Sequence, residues 1–229
     1  MDQVDSLKKT NPELKMEWMS YRSMTSWNVN SSRPPFNDPR VSHAMQMALD
    51  LETINATYWK GYADTTPQGF LGINFTGYVT PFADWPEEVK GYYTYDPEGA
   101  EALLDAAGYP RGADGIRFKT TFMQFDRWPV SWTEFRVAYW REIGIDIDIQ
   151  TPAGAEYWPR RRAGDFDMAS EISGVNADPL WIISTFYSGF GSLASHISVV
   201  DAQYDAWYEA ALAATTLGEM KGLIKQMDM

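Results

Sequence analysis

The sequence predicts an α/β fold with helices packed on a mixed sheet, and three observations carry that expectation. Strand-like and helix-like segments alternate along the 229 residues. Ile145, Ile147 and Ile149 alternate with Asp146, Asp148 and Gln150, the two-residue period of a strand with one wet face. Asp96-Pro97-Glu98 and Asp178-Pro179 place capping acids and proline where helices begin. Interleaving of this kind puts helices on the faces of a sheet.

The elements follow in order. Leu14 to Tyr21 and Ser26 to Asn30 read as short strands, and the turn-rich segment Ser31 to Pro39 leads out of the second. Val41, Ala44, Met45, Ala48 and Leu49 then form one helical stripe, and a second helical piece runs from Leu51 to Trp59. Residues 60 to 95 are rich in Gly, Pro and rings and hold no period, so a long irregular segment is expected there. Asp96 caps the next helix, which Gly108 ends, with Pro110 beyond it.

Ile116 to Phe125 reads as a strand, followed by the loop Asp126 to Val130. The helix Ser131 to Ile143 is expected to bury Trp132, Phe135, Tyr139, Trp140 and Ile143 before Gly144 breaks it. The isoleucine strand, a helix over Ala155 to Ala163 and a strand from Phe166 to Ile172 complete a β-α-β-α-β run. Asp178-Pro179 opens another helix, and two helices close the chain, one striped by Tyr204, Trp207, Tyr208, Ala211 and Leu212. There is no internal repeat or linker, so one domain is expected.

Composition narrows the function. Apolar residues make up 45%, enough for a core, and no run approaches the roughly 20 apolar residues of a membrane span. A net charge of -12 argues against nucleic acid, and Arg160 to Arg162 is the one tight basic run. The absence of cysteine excludes thiol nucleophiles, disulfides and Cys metal sites. The opening MDQVDSLKKTNPEL has no signal-peptide pattern, which leaves a cytoplasmic protein or a missing true start. Ten Trp, thirteen Tyr and eleven Phe supply rings for a core and for lining a cleft.

Six segments, in this order, resemble one family: WNVNSSRPPFNDPRVSHAMQMALD from Trp27, YDPEGAEALLDAAGYPRGADG from Tyr95, WREIGIDIDIQ from Trp140, RRRAGDFDMA from Arg160, ADPLWIISTFYSG from Ala177 and VDAQYDAWYEAA from Val200. The chain is similar to the family 5 extracellular solute-binding proteins, the oligopeptide and dipeptide binders and their relatives. The resemblance implies one lobe, residues 1–229, of a type II periplasmic-binding-protein-like fold. The N-terminal lobe and the closing C-terminal segment are then absent, and the missing signal is explained by truncation. It further implies a substrate-binding component of an ABC importer that works outside the cytoplasm, periplasmic or lipid-anchored, with a membrane permease as partner of the full-length protein. The small-molecule ligand, peptide or oligosaccharide, would sit between two closing lobes. No cofactor and no catalytic or metal residue is implied.

This sequence departs from the family in two places. Ser42 stands where a second Arg is usual after Arg40-Val41. Peptide binders resemble Trp-x-Ala-Asp-Tyr in the loop after the Phe166 to Ile172 strand, where the Asp pairs with the peptide α-ammonium. Here Ser173 falls at the Trp and Val175 or Asn176 at the Asp. An unpaired ammonium in a buried cleft costs on the order of several kcal/mol, which favours a sugar-like or other non-amine ligand over a peptide, nickel chelate or opine. Asp178 is close enough to substitute, but it suits a helix cap equally well.

Ligand crevices lie beyond the carboxyl ends of strands. The candidates are therefore Arg127 and Trp128, Tyr157 and Trp158, Arg161 (which matches an Arg near the ligand in peptide binders), and Ser173, Val175 and Asn176. Asn30, at its strand end, caps a turn or faces the cleft. The rival class is a carboxylate-dependent enzyme such as a glycoside hydrolase, built on Asp146 and Asp148, Asp165 and Asp167, or Glu171. Such pairs on a strand are more often its solvated face. His43 and His196 are the only histidines, and no HExxH, GxSxG, P-loop or GxGxxG occurs.

Overall fold

The computed structural model describes residues 2–15, 17, 24–173, 178–190 and 201–228. It opens with a helix the periodicity did not announce, α1 (Asp2–Thr10). The expected strand over 14 to 21 lies largely outside the described residues, and Leu14, Lys15 and Glu17 are not in a strand. β1 (Met24–Val29) comes next. α2 (Pro39–Met47) starts where Asp38 accepts the Arg40 amide, and α3 (Leu51–Thr57) where Asp50 accepts that of Thr53.

The segment from 60 to 95 is less irregular than expected. It holds a 3-10 turn, Phe82–Asp84, and a five-residue helix, α4 (Glu87–Gly91). Neither is long enough to show a helical period. α5 (Pro97–Ala106) is capped by Asp96, whose carboxylate accepts the Gly99 amide at 2.9 Å.

The β-α-β-α-β run is present as β2 (Phe118–Met123), α6 (Val130–Glu142), β3 (Ile145–Gln150), α7 (Gly154–Ala163) and β4 (Met168–Ser173). Gly144 turns α6 into β3 at φ +86°, and Gly164 ends α7 at φ +70°, backbone states that favour glycine. α8 (Pro179–Ile183), α9 (Ala202–Ala213) and α10 (Leu217–Met227) follow.

The sheet is mixed, in the order β1-β4-β2-β3. β2 runs parallel to both β3 and β4, while β1 is antiparallel to β4. The carboxyl ends of β2, β3 and β4 therefore share one edge, and β1 ends at the other, where Val29 pairs with Met168.

Phe118, Thr120 and Phe122 pair with Ile145, Ile147 and Ile149, so the six share a face. That face packs against α2, α5 and α6 in the main core. Trp140 is fully buried there, with its indole N–H donated to the Met45 carbonyl at 2.8 Å and its ring edge-on to Trp27. Truncating such a ring to alanine costs roughly 3–5 kcal/mol.

The expected apolar stripe of α6 is rotated. Its buried face is Thr133, Arg136, Val137 and Trp140, one i, i+3, i+4, i+7 row. Phe135 is exposed, and Trp132 and Phe135 instead meet Tyr58 and Trp59 on the helix flank. Ring size misled the reading, because large rings also cover half-wet surface.

Met123, Ala169, Tyr157 and Phe166 pack on the opposite sheet face beneath α7. A further cluster joins Leu71 and Phe75 to α8, α9 and α10 through Ile183, Tyr208, Ala211 and Ile224. Leu212, expected on the α9 stripe, points to solvent.

Candidate functional site

The shared carboxyl edge gathers four rings. Phe125, two residues past β2, lies edge-on to Trp128 at 5.0 Å and tilted against Tyr157 at 5.0 Å and Trp158 at 5.5 Å. Tyr157 is fully buried and donates its hydroxyl to the Ser170 carbonyl on β4. It supports the cluster from beneath. Trp158 is 38% exposed, Trp128 is half-buried and Arg127 is exposed, so these three present the cluster to solvent.

The backbone of this edge is held from two sides. Ser170 Oγ accepts the Phe125 amide at 2.9 Å, and Asp126 accepts the Gly154 amide at 3.2 Å. Gln124, buried at the end of β2, turns its amide toward the Phe125 and Trp128 carbonyls at 3.3 and 3.4 Å. Its oxygen accepts from Thr133 Oγ1 at 2.5 Å, and that oxygen in turn accepts from Arg136 at 3.2 Å. A hydrogen-bonded chain thus runs from inside α6 to the aromatic edge. Burial pushes the Arg136 guanidinium down, to about 9, which still leaves it charged at neutral pH.

Two expected residues lie elsewhere. Asn30 is 1% exposed at the opposite edge of the sheet, because β1 runs antiparallel to its neighbour β4. Its amide donates to the Gly164 and Phe166 carbonyls at 2.9 and 3.1 Å, and its oxygen accepts from Ser32. It is a structural clamp and no part of this edge. Arg161 is 1% exposed on the inner side of α7, its guanidinium 5.9 Å from the Phe166 ring centre, so it does not face an open cleft. Ser173 ends β4 at the aromatic edge, its backbone in register with Met24. Val175 and Asn176 lie outside the described residues.

The carboxylates proposed for the rival class are spread apart. Asp167 accepts from the Thr121 amide and hydroxyl at 3.1 and 2.7 Å and pairs with Arg33 at 3.1 Å, near the Asn30 end. Asp165 pairs with Arg160, and Asp146 with Lys119. Of Glu171 only the backbone, opposite Ser26, is described. His43 stacks on Tyr92 with its pKa lowered by burial, and His196 lies outside the described residues. Among the described residues no group of three His, Cys, Asp or Glu could hold a metal.

A solvent-open recess of about 370 Å³ lies at the amino ends of β2 and β3, lined by Arg111, Asp114, Arg141 and Asp146. It contains no ring, and Arg111 is engaged by Glu101 and the Gly115 carbonyl. The aromatic edge, not this recess, has the chemistry of a ligand surface. Phe125, Gln124 and Ser170 were missed from sequence. The one signal was a polar Gln directly after the apolar Phe122-Met123 strand end.

The chain matches the family model for bacterial extracellular solute-binding proteins, family 5 Middle, over residues 2–193, and it belongs to that family. Heme-binding protein A of Haemophilus influenzae is 27% identical over 223 residues, 95% of this chain and 39% of that protein. A probable deoxycholate-binding periplasmic protein of Escherichia coli is 26% identical, covering 89% of this chain and 37% of that one. The periplasmic binding protein DppA of Helicobacter pylori, solved with the peptide STSA, superimposes with a TM-score of 0.79 at 22% identity over 99% of this chain and 42% of its own. The fold is therefore that of a periplasmic binding protein, and the chain spans about two fifths of these proteins' length. No helix among the described residues is long and apolar enough to cross a membrane.

Proposed function

We propose that this chain is one lobe of the substrate-binding component of an ABC importer and that it captures solute against the Phe125, Trp128 and Trp158 edge. The observation that carries this reading is the ring cluster itself. It stands where the carboxyl ends of three parallel strands meet, pinned to β4 through Ser170 and partly open to solvent. A cluster so placed offers flat apolar faces to a ligand without rearrangement.

The ligand best suited to this edge has a broad apolar face and no free amine. Neither Val175 nor Asn176 supplies the negative charge that an ammonium group needs. One relative is named for binding heme and another as a probable deoxycholate binder, and both solutes are rigid and largely apolar, which accords with that chemistry. A peptide is the second reading, favoured by the STSA complex of the structural relative. A neutral oligosaccharide would use the same rings and is a third arm of the test.

A thermal-shift screen of the full two-lobed protein with hemin, deoxycholate, dipeptides and cello-oligosaccharides separates these readings. Saturable stabilisation by an amine-free solute is expected. Stabilisation by free-amine peptides alone would overturn the ligand class, and turnover of any solute would overturn the transport reading.

A further inference from the structure

Arg117 and Arg136 show what this chain does with buried arginines, and they differ. The Arg117 side chain is 2% exposed, and its guanidinium meets Glu101 at 2.9 Å, Asp105, and the Ile143 carbonyl at 2.9 Å. Arg136 is equally buried, at 3% exposure, yet no carboxylate among the described residues pairs with it. Among the described residues its one oxygen partner is Thr133, and its Nε has none. Phe122, Trp132 and Trp140 surround the guanidinium with centroids at 5.4, 5.1 and 5.9 Å. Rings stabilise a cation through their faces but offer no acceptor to an N–H.

A second orphan donor lies beside it. The indole Nε1 of Trp132 is buried without a partner among the described residues, on the ring closest to the guanidinium. Buried N–H groups are nearly always satisfied, and a buried cation is nearly always paired. Two donors are thus unsatisfied here, one of them charged, and the Trp132 ring that covers the guanidinium is itself partly exposed; a carboxylate is the group that satisfies a cation and a neutral donor together.

We propose that Arg136 and Trp132 form a carboxylate-binding site, Arg136 supplying the charge and Trp132 a neutral donor. This rests on the reading that the chain captures solutes at the adjoining edge, to which Thr133 and Gln124 connect Arg136. It narrows the amine-free solute to one that carries a carboxylate.

The test titrates the 229-residue chain with benzoate, and with benzamide as the uncharged control, following the Trp132 indole N–H resonance by NMR. Benzoate is expected to shift that resonance downfield and saturably, and benzamide to leave it in place. Arg136→Met, which removes a buried charge and fills similar space, is expected to weaken benzoate binding at least tenfold. Trp132→Phe keeps the ring, removes the donor and should weaken binding severalfold. It carries the test if Arg136→Met does not fold. Equal response to benzamide, or unchanged benzoate affinity in the folded variants, overturns the site. Trp158→Ala distinguishes the two readings. Benzoate affinity lost there but kept in Arg136→Met sinks this site and leaves the aromatic edge standing, whereas the reverse pattern supports the site alone.

Discussion

Phe125 donates its backbone N–H to Ser170 Oγ at 2.9 Å, and this bond ties the first residues past β2 to the interior of β4. The Ser170 carbonyl receives the Tyr157 hydroxyl, so one serine holds both the loop and the helix that carry the exposed rings. Ser170→Ala should cost about 1–2 kcal/mol, because it leaves a part-buried amide without its acceptor. Urea unfolding would show this as a lower midpoint with an unchanged slope. A stability equal to wild type would mean that the edge is held by ring packing alone.

Asn30 should behave as a clamp. Asn30→Ala withdraws two donated bonds from the Gly164 and Phe166 carbonyls and is expected to destabilise by about 2 kcal/mol. Solute affinity should stay within twofold of wild type once the variant is folded. A calorimetric titration showing a larger loss would place Asn30 in the binding path after all.

Asp228 gives the fold a pH dependence of unusual sign. Its carboxylate accepts the Leu71 amide at 2.6 Å, and burial, the largest cause, pushes its pKa up to about 7. In the folded chain it thus holds a proton that the unfolded chain releases near its ordinary value of about 4. Stability from this group therefore falls as pH rises from about 4 to about 7. Glu101, held down to about 2 by Arg111 and Arg117, acts in the opposite sense and below that window. Asp228→Asn keeps an acceptor for Leu71 and should flatten the slope between pH 4 and 7. Thermal melts across that range in both proteins measure it, and parallel curves would contradict the assignment.

Much of the scaffold was legible because local rules and tertiary packing agree. Asp96 and Asp178 cap helices as their positions implied, and the isoleucine alternation of β3 survives intact. The site was less legible. Strand direction is a tertiary property, and the antiparallel setting of β1 carries Asn30 to the far edge. Nothing local announces it. The rotation of α6 about its axis was hidden for a related reason, since Arg136 looks like a surface residue until Trp132 and Phe135 are found covering Tyr58 and Trp59 instead.

The aromatic edge is tested most directly by calorimetric titration of the best-stabilising solute from the screen into the wild-type protein and its Trp158→Ala and Trp128→Ala variants. Trp158 is well exposed and Trp128 half-buried, so both variants should stay folded, which far-ultraviolet circular dichroism checks. Each is expected to weaken binding about tenfold or more, the loss of one ring that anchors a ligand. Wild-type affinity in both folded variants would contradict solute capture at this edge.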